Sequence, residues 1–175
     1  IPAAGEASRF KNENYKDSKF YLDLNNSSII VEILNCFKKQ IQTKVLILEK
    51  DFNKEILSDK KFNIEKIPKA TEGQAESALK LIENIQNNEA ILIHSADCIL
   101  DKNTDVKIKD YDIVVYTKNN YRRAFEQELN YGWINSKESL IESLSIKKPP
   151  KSRSSNVIIG TFLFKNKKIF KELYD

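Results

Sequence analysis

Four short apolar runs, each closed on both sides by polar residues, restrict the fold more than any other feature of this sequence. They lie in Lys44–Glu49, Ala90–His94, Asp112–Tyr116 and Val157–Phe164. Runs of this length without polar alternation read as strands covered on both faces, the pattern of a parallel or mixed sheet between helices. The segments between them change period. In Ser28–Ile41 the apolar residues Ile30, Ile33, Leu34, Phe37 and Ile41 fall three or four apart, and Thr71–Gln86 repeats the spacing through Ala75, Ala78, Leu79, Ile82 and Ile85. Such stripes predict amphipathic helices lying against a sheet. Strand and helix alternate through the first half of the chain, so the expected fold class is α/β, a three-layer α/β/α arrangement of Rossmann-like type with a mixed sheet. The second half is less regular. Lys118–Pro150 shows no clear period, Lys151–Asn156 is a loop by composition, and Asn166 is placed to cap a last helix, Lys167–Tyr174.

At 175 residues the chain is read as one domain, 1–175, able to bury roughly two thirds of its unfolded surface. Hydrophobic residues make up 41% and charged residues 31%, with both signs interspersed, the balance of a soluble folded protein. No apolar run approaches the ~20 residues a membrane-spanning helix needs, so a cytoplasmic location without membrane contact is expected. The formal net charge is +4, and the basic residues are scattered, with modest clusters at Lys147–Lys151 and Lys165–Lys171. That favours an anionic small molecule over nucleic acid and leaves a homo-oligomer open. Cys36 and Cys98 lack metal-ligand spacing and read as buried reduced thiols. Ile1-Pro2, taken as the end of a first strand, is shorter than the usual ~5–6 residues. The chain also stops at Asp175 directly after the last helix, so the expectation is a domain truncated at one or both ends.

The stretch Ile1–Phe10, IPAAGEASRF, occupies the first strand-to-helix turn, the favoured phosphate position of an open α/β sheet. Small residues let backbone N–H groups approach phosphate oxygens, and Arg9, four positions after Gly5, suits bidentate contact with them. A small-residue turn followed by a solvated Arg is the plainer reading of the same letters. Downstream, Lys19 lies in the connection to the first helix, Gly73 and Gln74 open a later helix, and the run from Ile91 ends on the carboxylate of Asp97.

Taken in order, these stretches resemble the sugar-phosphate nucleotidyltransferases, the NDP-sugar pyrophosphorylases and cytidylyltransferases. That family carries Ala-Gly-x-Gly-Ser/Thr-Arg, then Pro-Lys, a Gly-x-Ala helix start, a strand ending in Asp, Glu-Lys-Pro, and a Gly-x-Tyr-x-Phe strand. Here the corresponding letters are Ala4-Gly5-Glu6-Ala7-Ser8-Arg9, Ser18-Lys19, Gly73-Gln74-Ala75, Asp97, Lys147-Lys148-Pro149 and Gly160-Thr161-Phe162-Leu163-Phe164. The match spans nearly the whole chain.

The resemblance implies a nucleotide-diphospho-sugar transferase fold and a reaction in which a phosphorylated acceptor attacks the α-phosphorus of a nucleoside triphosphate, with Mg²⁺ on the charged oxygens and pyrophosphate leaving. Position by position, it implies that Ala3, Ala4 and Gly5 present backbone to base and ribose, Arg9 grips the triphosphate, and Lys19 neutralises charge at the α-phosphate. Gln74 would read the base edge with Gly73 giving it room, and Asp97 would hold Mg²⁺. Lys148 would bind the acceptor's phosphate, and Gly160 would leave space in the acceptor pocket.

Plainer roles stand beside these. Thr71 to Gln74 also fits a capping box, in which Gln74 reaches back to the Thr71 backbone. Asp97 suits a turn cap and Lys148 a solvated loop charge. The single His94 faces away from Ile93 by strand alternation and reads as a packed or hydrogen-bonded strand residue. Trp133 suits either a core anchor or an acceptor-pocket wall.

Three positions depart from the family pattern: Ala7 replaces the second glycine of the loop, Ser18 the proline, and Lys147 the glutamate. Glu6 adds a negative charge beside the expected triphosphate. Lys147 cannot accept a hydrogen bond from a sugar hydroxyl, so a more anionic acceptor than a hexose phosphate, or a non-sugar, is expected. The expected second metal-binding Asp is not found: it lies past Asp175, or one carboxylate serves. The expected activity is a nucleotidyltransferase of surface-polysaccharide biosynthesis, like the compact capsule-associated members, with CTP favoured over UTP. The alternative is a domain of the same fold that binds nucleotide without catalysis; a glycosyltransferase ranks last because Asp97 is followed by Cys98 and Ile99, not by the second Asp of an Asp-x-Asp.

Overall fold

The computed structural model describes residues 1–5, 18–24, 26–37, 42–57, 62–101, 104, 106–108 and 110–175. The expectations placed on Glu6, Ala7 and Arg9, and on Ile41 at the end of the first helix, lie outside the described residues. No helix among the described residues is long and apolar enough to cross a membrane.

The strands are β1 (Pro2–Ala3), β2 (Asp23–Leu24), β3 (Ser27–Ser28), β4 (Thr43–Leu48), β5 (Phe62–Ile67), β6 (Ile91–His94), β7 (Ile113–Lys118), β8 (Gly132–Lys137), β9 (Leu140–Ile146) and β10 (Asn156–Phe164). The helices are α1 (Ile29–Cys36), α2 (Gln74–Leu81), α3 (Arg122–Glu126) and α4 (Lys167–Tyr174). β1, β4 and β5 form a parallel sheet with β4 in the middle. β6, β7, β8 and β9 assemble around β10 through antiparallel ladders. β2 and β3 make a separate small hairpin.

Side-chain alternation ties the two larger sheets into common layers. On β4, Val45 and Ile47 join Ile30, Ile33 and Leu34 of α1, while Leu46 and Leu48 point the other way and meet Leu81 of α2. β6 does the same: Leu92 packs toward the α1 cluster, and Ile91 and Ile93 meet Ala78, Ile82 and Phe170 on the α2 and α4 side. Period-2 strands between period-3.6 helices therefore give the three-layer arrangement. Ile33 is fully buried, and burying a side chain of that size contributes about 1.5–3 kcal/mol. The first and last helices start where their residues dictate. Ser28 precedes α1 in an extended conformation, and the Asn166 side chain accepts from the Ile169 N–H at 2.9 Å.

Besides the short β2–β3 hairpin, three longer strands appear where no strand was expected. β5 interleaves Asn63, Glu65 and Lys66 with its apolar residues because it lies at the sheet edge, so only part of it needs to be buried. β8 and β9 form a hairpin whose two-residue turn, Glu138-Ser139, has φ of 49° and 68°. Positive φ at both positions is the type I′ geometry, which usually advertises itself as Asn-Gly. Trp133 on β8 is a core anchor: it is 1% exposed, packs on Phe125, and donates its indole N–H to the Glu128 carbonyl at 2.9 Å.

One detail of β10 positions everything that follows. On the side away from β7, Thr161–Phe164 pair with β6 and Asn156–Val157 pair with β8, leaving Ile158–Gly160 between the two ladders. The register with β7 shifts over the same residues, and Gly160 has φ 73°. The sheet is thus interrupted where β6 ends.

Candidate functional site

Beyond the carboxyl ends of β1 and β6 lies a cavity of about 180 Å³ lined by the β1 turn (Ala3, Gly5), Lys19, the start of α2 (Gly73, Gln74) and Ser95. In an open α/β fold this is where ligands bind, because loops at strand ends are free to diverge. Each wall has a local cause.

Lys19 belongs to a short 3₁₀ turn, Lys19–Tyr21, anchored by Phe20, which is 1% exposed in the α1 core cluster. With its neighbour pinned, the Lys19 side chain emerges at the cavity, and its Nζ sits 2.7 Å from Oδ2 of Asp97. Asp97 lies in the turn directly after β6, half exposed, and the Ser95 hydroxyl donates to its other oxygen, Oδ1. Ser95 and Asp97 were separated by one residue in sequence and meet on one side of the chain.

The α2 wall is built differently from a capping box. Gln74 Nε2 donates to the Gly160 carbonyl at 2.7 Å and does not reach back to Thr71. Glu76 makes the reciprocal contact instead, accepting from the Glu72 N–H at 2.7 Å; that bond, followed by Lys80 beside it, holds the Glu76 carboxyl below its ordinary range. The Thr71 and Ser77 hydroxyls are 2.5 Å apart, and both residues line the cavity. Ala4 is buried with its carbonyl accepting from the Thr71 N–H at 3.3 Å, so the β1 turn and α2 are sewn together.

Gly160 is a hub. Its carbonyl also accepts from the Ser95 N–H at 3.0 Å, so the interruption in β10 joins the end of β6 to the start of α2. A Cβ at this position would lie 2.9 Å from Ser95 Cβ, and its φ of 73° disfavours any L side chain. Glycine is therefore required here by backbone and by close approach.

The structure thus brings together Ala3, Gly5, Lys19, Gly73, Gln74 and Asp97, with Gly160 behind them. Lys148 stands apart, exposed in the loop after β9 and not lining this cavity. Thr71, Ser77 and Ser95 were missed by sequence reasoning. The available signals were weak: Ser77 follows Gln74 by three residues on a helix, and Ser95 precedes Asp97 by two. Burial pushes the Cys98 thiol up, with the Asp97 charge adding to it, which favours the protonated form, and neither Cys36 nor Cys98 is in a disulfide.

Solved structures share this fold. A nucleoside-diphosphate-sugar pyrophosphorylase from Vibrio cholerae RC9 superposes with a TM-score of 0.76 at 16% identity, covering 99% of this chain and 77% of its own. The chain has the sugar-phosphate nucleotidyltransferase fold. An inositol-1-phosphate CTP transferase from T. maritima matches with a TM-score of 0.71 at 14% identity, over 98% of this chain and 71% of that one. A UDP-glucose pyrophosphorylase solved with UDP-glucose gives 0.66 at 19%, over 99% and 77% respectively. No family model and no curated protein matches the sequence.

Proposed function

We propose that the chain is a nucleotidyltransferase that moves a nucleoside monophosphate from a triphosphate to a phosphorylated small molecule, releasing pyrophosphate. The observation that carries this reading is the Lys19–Asp97 pair at 2.7 Å beside a cavity walled by the small-residue turn of β1 and the glycine start of α2. Transfer of this kind asks for in-line positioning and charge neutralisation more than for covalent chemistry. A cation and a carboxylate at the mouth of this cleft are the groups it needs.

In this reading the backbone of Ala3, Ala4 and Gly5 meets base and ribose, Arg9 grips the triphosphate, and Thr71, Gln74 and Ser77 face the base. Lys19 leaves Asp97 for the α-phosphate when nucleotide enters. Asp97 is the residue that would hold Mg²⁺. The donor set fits that ion, because Mg²⁺ keeps most of its waters and is commonly held through one or two carboxylates plus substrate phosphates. Bound there, the ion would supply neutralisation of phosphate charge.

CTP is favoured as donor, in keeping with the CTP transferase among the neighbours. Lys147, Lys148 and Lys151 make the loop after β9 basic, which suits an anionic acceptor such as a phosphorylated building block of surface polysaccharide. A thermal-shift panel of CTP, UTP, GTP, ATP and dTTP with Mg²⁺ tests the reading, since a ligand at 100 times its Kd adds ~2.7 kcal/mol to stability. A shift with CTP, followed by pyrophosphate release in a screen of phosphorylated acceptors, is expected. No shift with any triphosphate overturns the assignment.

A further inference from the structure

We infer that His94 and Thr161 are positioning residues that fix the Asp97 carboxylate over the site by clamping its turn to β10. The inference rests on the nucleotidyltransferase reading above, and neither residue needs to touch a reactant.

His94 and Thr161 are 1% and 0% exposed and lie directly opposite one another in the β6–β10 register. The imidazole Nε2 is 2.7 Å from the Cys98 carbonyl oxygen, and Nδ1 is 2.8 Å from Thr161 Oγ1. A carbonyl only accepts, so Nε2 carries the proton and Nδ1 accepts a hydrogen bond from the Thr161 hydroxyl. The chemistry of the two partners therefore sets the tautomer. Phe37 stands edge-on to the ring at 5.1 Å and limits its rotation.

The consequence falls on one turn. Ser95 N–H binds the Gly160 carbonyl at one end, and the Cys98 carbonyl is held by His94 at the other. That carbonyl lies in the Cys98–Ile99 peptide, so the turn is tied at Ser95 on one side of Asp97 and at Cys98 on the other, which limits how far the Asp97 backbone between them can move. A core-filling residue would not explain this arrangement. A buried histidine costs desolvation that Leu or Phe would not, and here it gains two directed bonds, one to the Asp97 turn and one to the residue after Gly160. With both nitrogens engaged and no exposed edge, His94 is unsuited to proton transfer with a substrate.

The test uses His94→Leu, His94→Gln, Thr161→Val and Asp97→Asn, each read by pyrophosphate release against Mg²⁺ concentration, by the CTP thermal shift, and by amide exchange of the 95–98 turn. His94→Leu is expected to raise the Mg²⁺ concentration for half-maximal turnover about tenfold and to speed exchange in the turn. His94→Gln, whose amide can still donate to the Cys98 carbonyl, restores most of both; Thr161→Val, the milder change, shifts the Mg²⁺ requirement in the same direction by a smaller factor. A folded His94→Leu or Thr161→Val protein with an unchanged Mg²⁺ requirement overturns the inference, as does a Gln variant no better than Leu. Full turnover in Asp97→Asn instead overturns the underlying reading, which keeps the two failures distinct.

Discussion

The Lys19 ammonium lies 2.7 Å from the Asp97 carboxylate, across a sequence separation of 78 residues. Both side chains remain partly in water, at 27% and 52% exposure, so the pair contributes only about 0–1 kcal/mol to stability. In the proposed reading, each group holds the other in place at the cavity until phosphate and metal take over the two charges.

Lys19→Ala and Asp97→Ala should therefore fold nearly as well as the parent protein yet lose turnover. A positioned charge that acts on the transition state is worth about 10²–10³ in rate, and each variant is expected to lose at least that much. Denaturant midpoints alongside pyrophosphate-release rates make the check. A large stability loss, or retained turnover in both, contradicts the assignment.

Gly160→Ala is expected to destabilise the fold by more than the ~1–2 kcal/mol of a left-handed L residue. The added Cβ also meets Ser95 Cβ at 2.9 Å, so the end of β6 must shift. Urea unfolding of this variant should show the loss, and the Ser95 amide should lose protection in hydrogen exchange.

The β8–β9 turn offers the opposite sign. Glu138 and Ser139 sit at φ 49° and 68°, where Asn and Gly are the residues of least strain. The double substitution Glu138→Asn, Ser139→Gly should raise stability by about 1 kcal/mol and leave turnover unchanged, as read by melting temperature and a rate assay. A drop in melting temperature would contradict the turn geometry.

Burial of His94 lowers its pKa from 6.5 to about 4. Between those values the unfolded chain binds a proton that the folded chain refuses, so stability rises with pH across the window and is lost as pH falls from about 6.5 to about 4. At 1.36 kcal/mol per pKa unit the full effect is on the order of 3 kcal/mol. Comparing the pH dependence of unfolding in the parent and in His94→Gln isolates it: the variant should lack this component of the slope. Equal slopes would show that the ring is not held neutral by the fold.

How much of this was legible beforehand follows from what each signal encodes. The apolar runs of β4, β6, β7 and β10 announced themselves because most of their residues are apolar, although β7 is only half buried and β6 and β10 each bury a polar residue, His94 and Thr161, that the other satisfies. The edge strand β5 and the β8–β9 hairpin did not, since one is half exposed and the other turns on Glu-Ser. Gln74 illustrates a different limit. Its position fits a cap or a base contact equally well from local spacing, but its partner is the carbonyl of Gly160, 86 residues away.

The sequence by itself determined the layers, the helix stripes and the residue types gathered at the strand ends, because burial and periodicity are local properties of the letters. Tertiary structure alone decided that Lys19 pairs with Asp97, that the Gln74 amide is tied to Gly160, and that His94 clamps the Asp97 turn. Those relations depend on where β10 breaks its ladders between β6 and β8, and hydrogen-bond partners far apart in the chain leave no period for a sequence to display.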